Sequence, residues 1–210
     1  MKNVYDITRE FERKIAEYTG APYAVALDNM SNALFLALTY WKESNLLHMQ
    51  RPLITIPSRT YMSVPCEIIH AGCRVQWRMI EGMLTGPYQL SPSPVWDCAL
   101  RFTSGMYVPG QHQCVSFTGP RKHLKLSKGG AILTDDKKAY EWFKRARFSG
   151  RNECDYHEDN FTQLGWNMYM MPEIAARGLL MMQAFPEHND DLSLPYPDLS
   201  KFKIYTDVSE

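Results

Sequence analysis

The chain alternates short apolar runs with amphipathic segments, and this alternation restricts its fold more than any other feature. Apolar runs bounded by polar or turn residues predict strands over residues 23–27, 53–57, 74–77, 94–100, 114–117 and 130–136. Segments with apolar residues at helical spacing predict helices over residues 33–41, 63–72, 136–148 and 172–185. Strands that alternate with helices indicate an α/β layer structure with a largely parallel sheet.

The first helix and the last segment set the limits of the predicted domain. Apolar residues recur at helical spacing from Ile7 to Tyr18, and we predict that Thr8 caps this helix and that Gly20 ends it. Residues 78–94 carry glycines and prolines without periodicity and predict a loop. After Asp190 the chain is again proline-rich, so we predict one domain over residues 1–190 and a C-terminal arm over 191–210.

Charge and cysteine content exclude several classes of function. Lys plus Arg and Asp plus Glu both number 23, and a net charge of zero argues against binding to nucleic acid or to an acidic membrane surface. The five cysteines are scattered without a CxxC pair, which favours free thiols in a reducing cytosol and no metal site. The N-terminus is polar from its start, and no apolar run is long enough for a membrane span. These features predict a cytoplasmic protein.

Polar residues follow the predicted strands at the points where each strand ends. Asn29 and Ser31 follow the first strand, Thr60 follows the second, and Asp97 and Ser116 close two later ones. In open α/β sheets, ligands bind beyond the carboxyl ends of the strands. The sequence therefore predicts a binding site at this edge.

Each of these residues has an alternative interpretation when it is considered alone. "DNMSN" (28–32) precedes a helix, where it would either bind an anion or simply cap the helix. Asp97 ends an apolar strand and needs a partner, either a cationic ring nitrogen or a nearby arginine such as Arg101. Lys122 lies in the basic stretch "SFTGPRKHLKLSKGG" (116–130). Considered alone, it is either an exposed loop residue or a reactive amine.

Taken together, five segments resemble the DegT/StrS family of pyridoxal-phosphate-dependent sugar aminotransferases. They are "FERKIAEYTGAPYAVALDNMSNALFLAL", "IPSRTYMSVPCEIIHAGC", "VWDCAL", "SFTGPRKHLKLSKGGAILTDD" and "LGWNMYMMPEIAARGL". The resemblance runs in the family's order from about residue 8 to residue 185. It implies the aspartate-aminotransferase-like fold (fold type I), a mostly parallel sheet between helices. It also implies a chain reduced in size, without most of the family's small C-terminal domain, as in phage- or virus-encoded members that work in the host cytoplasm.

The resemblance implies a role for three residues around the ring of pyridoxal 5′-phosphate (PLP). Lys122 matches the lysine that forms a Schiff base with the cofactor and then acts as general acid and base. Asp97 matches the acid that keeps the pyridine nitrogen protonated, which makes the ring an electron sink. Tyr61 matches the aromatic residue that stacks on the ring.

The resemblance also implies how the cofactor's phosphate is bound. Met30, Ser31 and Ser116 match phosphate-binding positions, and Asn167 matches an asparagine that reaches the phosphate of the neighbouring subunit. That last role implies a homodimer with shared active sites. The implied reaction moves an amino group, commonly from glutamate, to a keto sugar or sugar nucleotide.

Four departures from the family's pattern leave other functions open. Met30 replaces a glycine, Leu100 replaces a polar residue beside the cofactor, and Tyr169 replaces an arginine. The spacing from Ser116 to Lys122 is one residue longer than usual, which makes Lys125 an alternative Schiff-base lysine. The two alternative functions are a sugar dehydratase on the same scaffold and a degenerate binding or assembly protein without transaminase activity.

Overall fold

A computed structural model describes residues 3–44 and 51–205 of the chain. The helices are α1 (Asp6–Thr19), α2 (Met30–Ser44), α3 (Ser63–His70), α4 (Lys137–Ala146) and α5 (Pro172–Met182). The strands are β1 (Tyr23–Leu27), β2 (Leu53–Pro57), β3 (Arg74–Arg78), β4 (Leu84–Thr85), β5 (Tyr88–Gln89), β6 (Val95–Asp97), β7 (His112–Ser116), β8 (Gly130–Thr134) and β9 (Ser193–Leu194). Parts of the predicted domain (1–190) and arm (191–210) lie outside the described residues, namely 1–2, 45–50 and 206–210.

The central sheet is mixed, which corrects the prediction of a mostly parallel sheet. Its strand order is β1-β8-β7-β6-β5, and within it β6 and β7 pair in parallel while the other neighbours are antiparallel. β2 and β3 form a separate parallel pair. The loops 90–94 and 117–129 connect neighbouring strands without a crossover helix, so each following strand returns antiparallel. Because β1 and β7 both run against β8, β1, β6 and β7 still point in one direction.

Alternating residues of β1 show how the sheet lies between two layers of helices. Val25 and Leu27 belong to the core that contains α2 and α4, whereas Ala24 and Ala26 belong to the core with α1 and α5. Successive side chains of a strand point to opposite faces, so the two cores cover the two faces of the sheet. Gly178 lets α5 approach α1, since a Cβ there would lie 2.4 Å from the ring of Phe11.

The start of α1 differs from the prediction, and its end agrees with it. The helix begins at Asp6 with Tyr5 at the N-cap position, and Thr8 is fully buried inside the first turn. The prediction that Thr8 caps the helix is therefore wrong, because the acid at Asp6, which favours a first turn, already lies within the helix. Gly20 ends the helix as predicted, with a φ of 77° that glycine adopts without strain.

Side chains close the free edge of β1, the strand that leads into α2. The backbone N–H of Ala26 donates to Glu12 Oε1 at 2.9 Å, and the fully buried Arg147 donates to the Ala26 carbonyl. Arg147 also forms an ion pair with Glu153 at 2.7 Å. Burial raises the pKa of Glu153, but the charges of Arg147 and Lys144 outweigh this effect and lower the pKa to about 2. An edge strand satisfied in this way does not offer itself for pairing with another chain.

Across the described residues, the structure contains no helix whose length and apolar character would let it cross a membrane.

Candidate active site

A cavity of about 360 Å³ lies beyond the carboxyl ends of β1, β6 and β7. Six of the seven predicted site residues line it, namely Met30, Ser31, Tyr61, Asp97, Ser116 and Lys122. They come from distant parts of the chain, and the three strands bring them together because they point in the same direction. Asn167 is not among the residues that line this cavity; its side chain is exposed, and its backbone bridges to Phe148.

Asp97 is a buried carboxyl group at the end of β6, with 4% of its surface exposed. Its Oδ2 accepts from the Tyr88 hydroxyl at 2.8 Å, and its Oδ1 accepts from the Ala99 N–H at 2.8 Å. Tyr88 in turn contacts Thr60 Oγ1 at 2.5 Å. Burial raises the pKa of Asp97, while these two hydrogen bonds and the charge of Lys122 oppose the shift. A cation that entered the cavity next to Asp97 would stabilise its ionised form.

Lys122 reaches the same cavity from the loop between β7 and β8. Its Nζ donates to the Ala99 carbonyl at 2.9 Å, and the Ala99 N–H donates to Asp97, so the backbone of one residue contacts both side chains. Burial lowers the pKa of Lys122, and the charge of Asp97 partly offsets this effect. A lowered pKa increases the neutral fraction of the amine, which is the nucleophilic form.

The N-terminus of α2 forms another wall of the cavity. Asn29 Oδ1 accepts from the Asn32 N–H at 2.8 Å and caps the helix, and Met30 and Ser31 begin its first turn. The first N–H groups of a helix have no partner within it and favour an anion nearby. The two interpretations of "DNMSN", a helix cap and an anion site, are thus compatible. The cap uses one N–H group, and the other N–H groups of the first turn lie at the cavity.

Gly130 lets β8 come close to this helix end. A Cβ on Gly130 would lie 2.6 Å from the Met30 N atom and 2.7 Å from Met30 Cα. Real Cβ atoms do not approach backbone atoms so closely, so the position of α2 requires glycine here. Met30 itself, which replaces a glycine of the family's pattern, lines the cavity wall.

Hydroxyl groups complete the polar wall around the α2 N-terminus. Ser31 Oγ and Ser63 Oγ are 2.6 Å apart, so the start of α2 and the start of α3 are linked. Ser116 ends β7 and lines the cavity beside Thr118. Within the stretches 3–44 and 51–205, no group of three or more His, Cys, Asp or Glu side chains is arranged to hold a metal ion.

Sequence reasoning missed several residues of the site. Tyr88 donates to Asp97 and contacts Thr60, which the sequence placed at this edge, but Tyr88 itself lies in the stretch predicted to be a loop, where it forms the two-residue strand β5. Leu194 and Tyr196 line the cavity from the predicted arm. The alternation of apolar and polar residues in "LSLPYP" (192–197) was the available signal.

The remaining departures from the family's pattern lie away from the cavity wall. Leu100 is 1% exposed and packs in the core with α2. Lys125 is exposed and is not among the residues that line the cavity. Tyr169 stacks under Arg147, whose guanidinium carbon is 4.6 Å from the centre of the ring.

Comparison with known proteins finds a family model that matches the first part of the chain. The model of the DegT/DnrJ/EryC1/StrS aminotransferase family matches residues 1–82, which include the α2 N-terminus and Tyr61. No curated protein sequence matches the chain.

Solved structures extend the likeness to most of the chain. AtS13 from Actinomadura melliaura is 19% identical, with a TM-score of 0.70, over 85% of this chain and 60% of its own. PseC from Helicobacter pylori, an aminotransferase involved in the biosynthesis of pseudoaminic acid, is 16% identical, with a TM-score of 0.66, over 86% of this chain and 58% of its own. A mutant GDP-4-keto-6-deoxymannose-3-dehydratase (ColD) with bound GDP-perosamine is 15% identical, with a TM-score of 0.67, over 86% of this chain and 61% of its own.

The chain thus spans about 60% of the length of the solved structures that it matches. The likeness confirms the predicted fold type I architecture, with the sheet corrected to a mixed one. Over residues 1–82 the chain is similar to the DegT/DnrJ/EryC1/StrS aminotransferase family, and over most of its length it shares the fold of the solved aminotransferases.

Proposed function

We propose that the protein is a PLP-dependent aminotransferase that moves an amino group from glutamate to a keto sugar or sugar nucleotide. The observation that carries the proposal is that Lys122 and Asp97 line one cavity and both form hydrogen bonds with the backbone of Ala99. The match to a sugar aminotransferase family supports the reaction class and the substrate class.

The cavity offers partners for three parts of PLP, namely its phosphate, its ring nitrogen and the face of its ring. The N-terminus of α2, with Met30, Ser31 and the nearby Ser116, would bind its phosphate. Asp97 would accept a hydrogen bond from a protonated ring nitrogen, and the charge of that nitrogen would offset the burial that raises the pKa of the Asp97 carboxyl group. Tyr61, which is 51% exposed at the cavity, has a free face on which the ring would stack.

Bound PLP supplies an aldehyde for attachment to an amine and a ring that withdraws electrons from the reacting carbon. In this chain, Lys122 would provide that amine, because burial already disfavours its charged form. After glutamate has displaced Lys122 from the cofactor, the Lys122 amine would take the proton from the α-carbon of glutamate. It would then deliver this proton to a carbon of the cofactor. Tyr88 and the Ala99 N–H would hold the Asp97 carboxyl in place through this sequence.

A glutamate titration tests this function. Addition of L-glutamate to the PLP-loaded protein should convert the absorbance spectrum from the aldehyde form to the amine form of the cofactor. One equivalent of 2-oxoglutarate should appear for each site converted, and keto-sugar substrates should then restore the first spectrum.

The same experiment separates the two alternatives. The likeness to a dehydratase favours that reaction as the second candidate, and loss of water from the sugar without transfer of nitrogen would establish it in place of ours. PLP binding without any response to glutamate or sugar would contradict both enzymes and would leave a binding protein.

We further propose a homodimer in which Asn167 of one protomer contacts the phosphate bound by its partner. The exposed Asn167 side chain, held on a backbone bridged to Phe148, supports this role. Sedimentation analysis should therefore give twice the chain mass. An Asn167→Ala variant should bind PLP roughly tenfold more weakly, since a hydrogen bond to a charged group is lost. A monomeric protein with full PLP affinity would contradict the shared site.

A further inference from the structure

Two hydrogen-bond donors in the cavity have no role in the scheme above. Arg121 and Tyr196 both line the cavity. In the described part of the chain, the Arg121 guanidinium has no ion pair and the Tyr196 hydroxyl has no hydrogen-bond partner. Unused donors that face a cavity are typical of groups that bind a ligand oxygen.

Contacts of the preceding residues and of Tyr196 itself hold Tyr196 in its position. In the residues that precede Tyr196, Asp191 forms a bidentate salt bridge with Arg101 at 2.8 and 2.7 Å, and β9 pairs with β4. At Tyr196 itself, Arg59 Nη1 donates to the backbone carbonyl at 3.1 Å. The ring lies edge-on to Tyr61 with 6.2 Å between the ring centres. The tail is therefore a fixed wall of the cavity.

The charges around the two donors favour an anionic ligand. Burial and the charge of Asp97 raise the pKa of Tyr196 to about 12, so its hydroxyl stays protonated and can donate at neutral pH. The positive charge of Arg121, which lines the same cavity, opposes that shift of the Tyr196 pKa. Lys122 and Lys128 also face the cavity, but Lys128 is paired with Asp28 at 3.2 Å.

The position of Arg121 indicates which part of a substrate this anion belongs to. Arg121 precedes Lys122 directly in the loop between β7 and β8, and both residues line the same cavity. The carboxylate of an amino acid is bonded to the α-carbon that Lys122 would deprotonate. The diphosphate of a sugar nucleotide is separated from its keto carbon by the sugar ring. A site beside Lys122 therefore suits the carboxylate.

We propose that Arg121 and Tyr196 together bind the α-carboxylate of the amino donor and of its keto-acid product. The proposal rests on the proposed function, because it takes the donor to be an amino acid. Tyr196 thereby becomes a substrate-binding residue supplied by the segment that follows residue 190.

Equilibrium binding of 2-oxoglutarate, measured by calorimetry on the protein with and without PLP, tests the assignment. Arg121→Gln and Tyr196→Phe should each weaken binding by about fivefold to tenfold, since each removes a hydrogen bond to a charged oxygen. Tyr196→Phe keeps the ring beside Tyr61. Lys125→Gln, which removes an exposed charge on the same loop outside the cavity wall, is the matched control and should change the affinity less than about twofold.

The outcomes distinguish this inference from the proposed function. PLP affinity should be equal in all four proteins, and uridine diphosphate should bind equally to them. Unchanged affinity for 2-oxoglutarate in both variants would overturn the inference, as would a loss of uridine diphosphate binding instead. If the protein binds no PLP, the proposed function fails, and the affinities for 2-oxoglutarate without PLP still decide whether Arg121 and Tyr196 form a carboxylate site.

Discussion

A Lys122→Ala variant is expected to lose PLP attachment and to transfer amino groups about 10³-fold more slowly or not at all. The substitution removes both the amine that holds the cofactor and the group that carries the proton, and each contributes a large factor. The variant should still fold, because the Lys122 amine makes a single hydrogen bond, to the Ala99 carbonyl. Burial of its charge is unfavourable, as the lowered pKa of Lys122 shows, so its removal costs little stability. Absorbance spectra and single-turnover rates with glutamate measure both effects.

Lys125→Ala is the control for Lys122→Ala, because Lys125 lies three residues further on and is exposed. This variant should keep the spectrum and the rate of the wild type. If Lys125→Ala loses attachment and Lys122→Ala retains it, the Schiff-base lysine is Lys125, and the assignment of Lys122 is wrong. Far-ultraviolet circular dichroism confirms that both variants are folded.

Gly130→Ala is expected to reduce the free energy of unfolding by more than about 4 kcal/mol, a loss that few single substitutions produce. The new methyl group would lie 2.6 Å from Met30 N and 2.8 Å from the Asn29 carbonyl carbon. These are backbone atoms, which cannot rotate away, so α2 and β8 must separate. Because Gly130 pairs with Leu27 and with Ser116, the displacement would also open the sheet beneath the cavity. Urea denaturation monitored by circular dichroism measures the loss.

Gly119→Ala serves as the matched control for this effect. Gly119 has a φ of 89°, and a Cβ there would have no atom within 4 Å. Its substitution therefore introduces backbone strain without a collision, at a cost of about 1–2 kcal/mol. Equal losses in the two variants would contradict the explanation by contact with α2.

The sequence predicted the main strands and helices well because their boundaries have local causes. β1 and β2 coincide with the predicted strands 23–27 and 53–57, each of which ends at a polar residue or a proline. The two-residue strands β4, β5 and β9 were missed, since two residues cannot show a period. The sheet's mixed pairing was missed because apolar runs do not record the direction in which a neighbour runs.

The site was predictable where the residue type itself reports chemistry, and less so where geometry decides. A carboxyl group at the end of an apolar strand marked Asp97, and the sequence motif marked Lys122. Nothing near Asp97 in sequence indicated that Tyr88 would donate to it, because a hairpin creates that contact. Tyr196 depends on a tail whose position is set by the distant Arg101 and Arg59.

Borohydride reduction of the PLP-loaded protein, followed by mass spectrometry of its peptides, tests the central claim most directly. The account predicts one stable PLP adduct, on the Lys122 side chain, and its absence when borohydride is added before PLP. An adduct on another lysine, or no adduct from a protein that binds PLP, would contradict the claim that the amine beside Asp97 holds the cofactor.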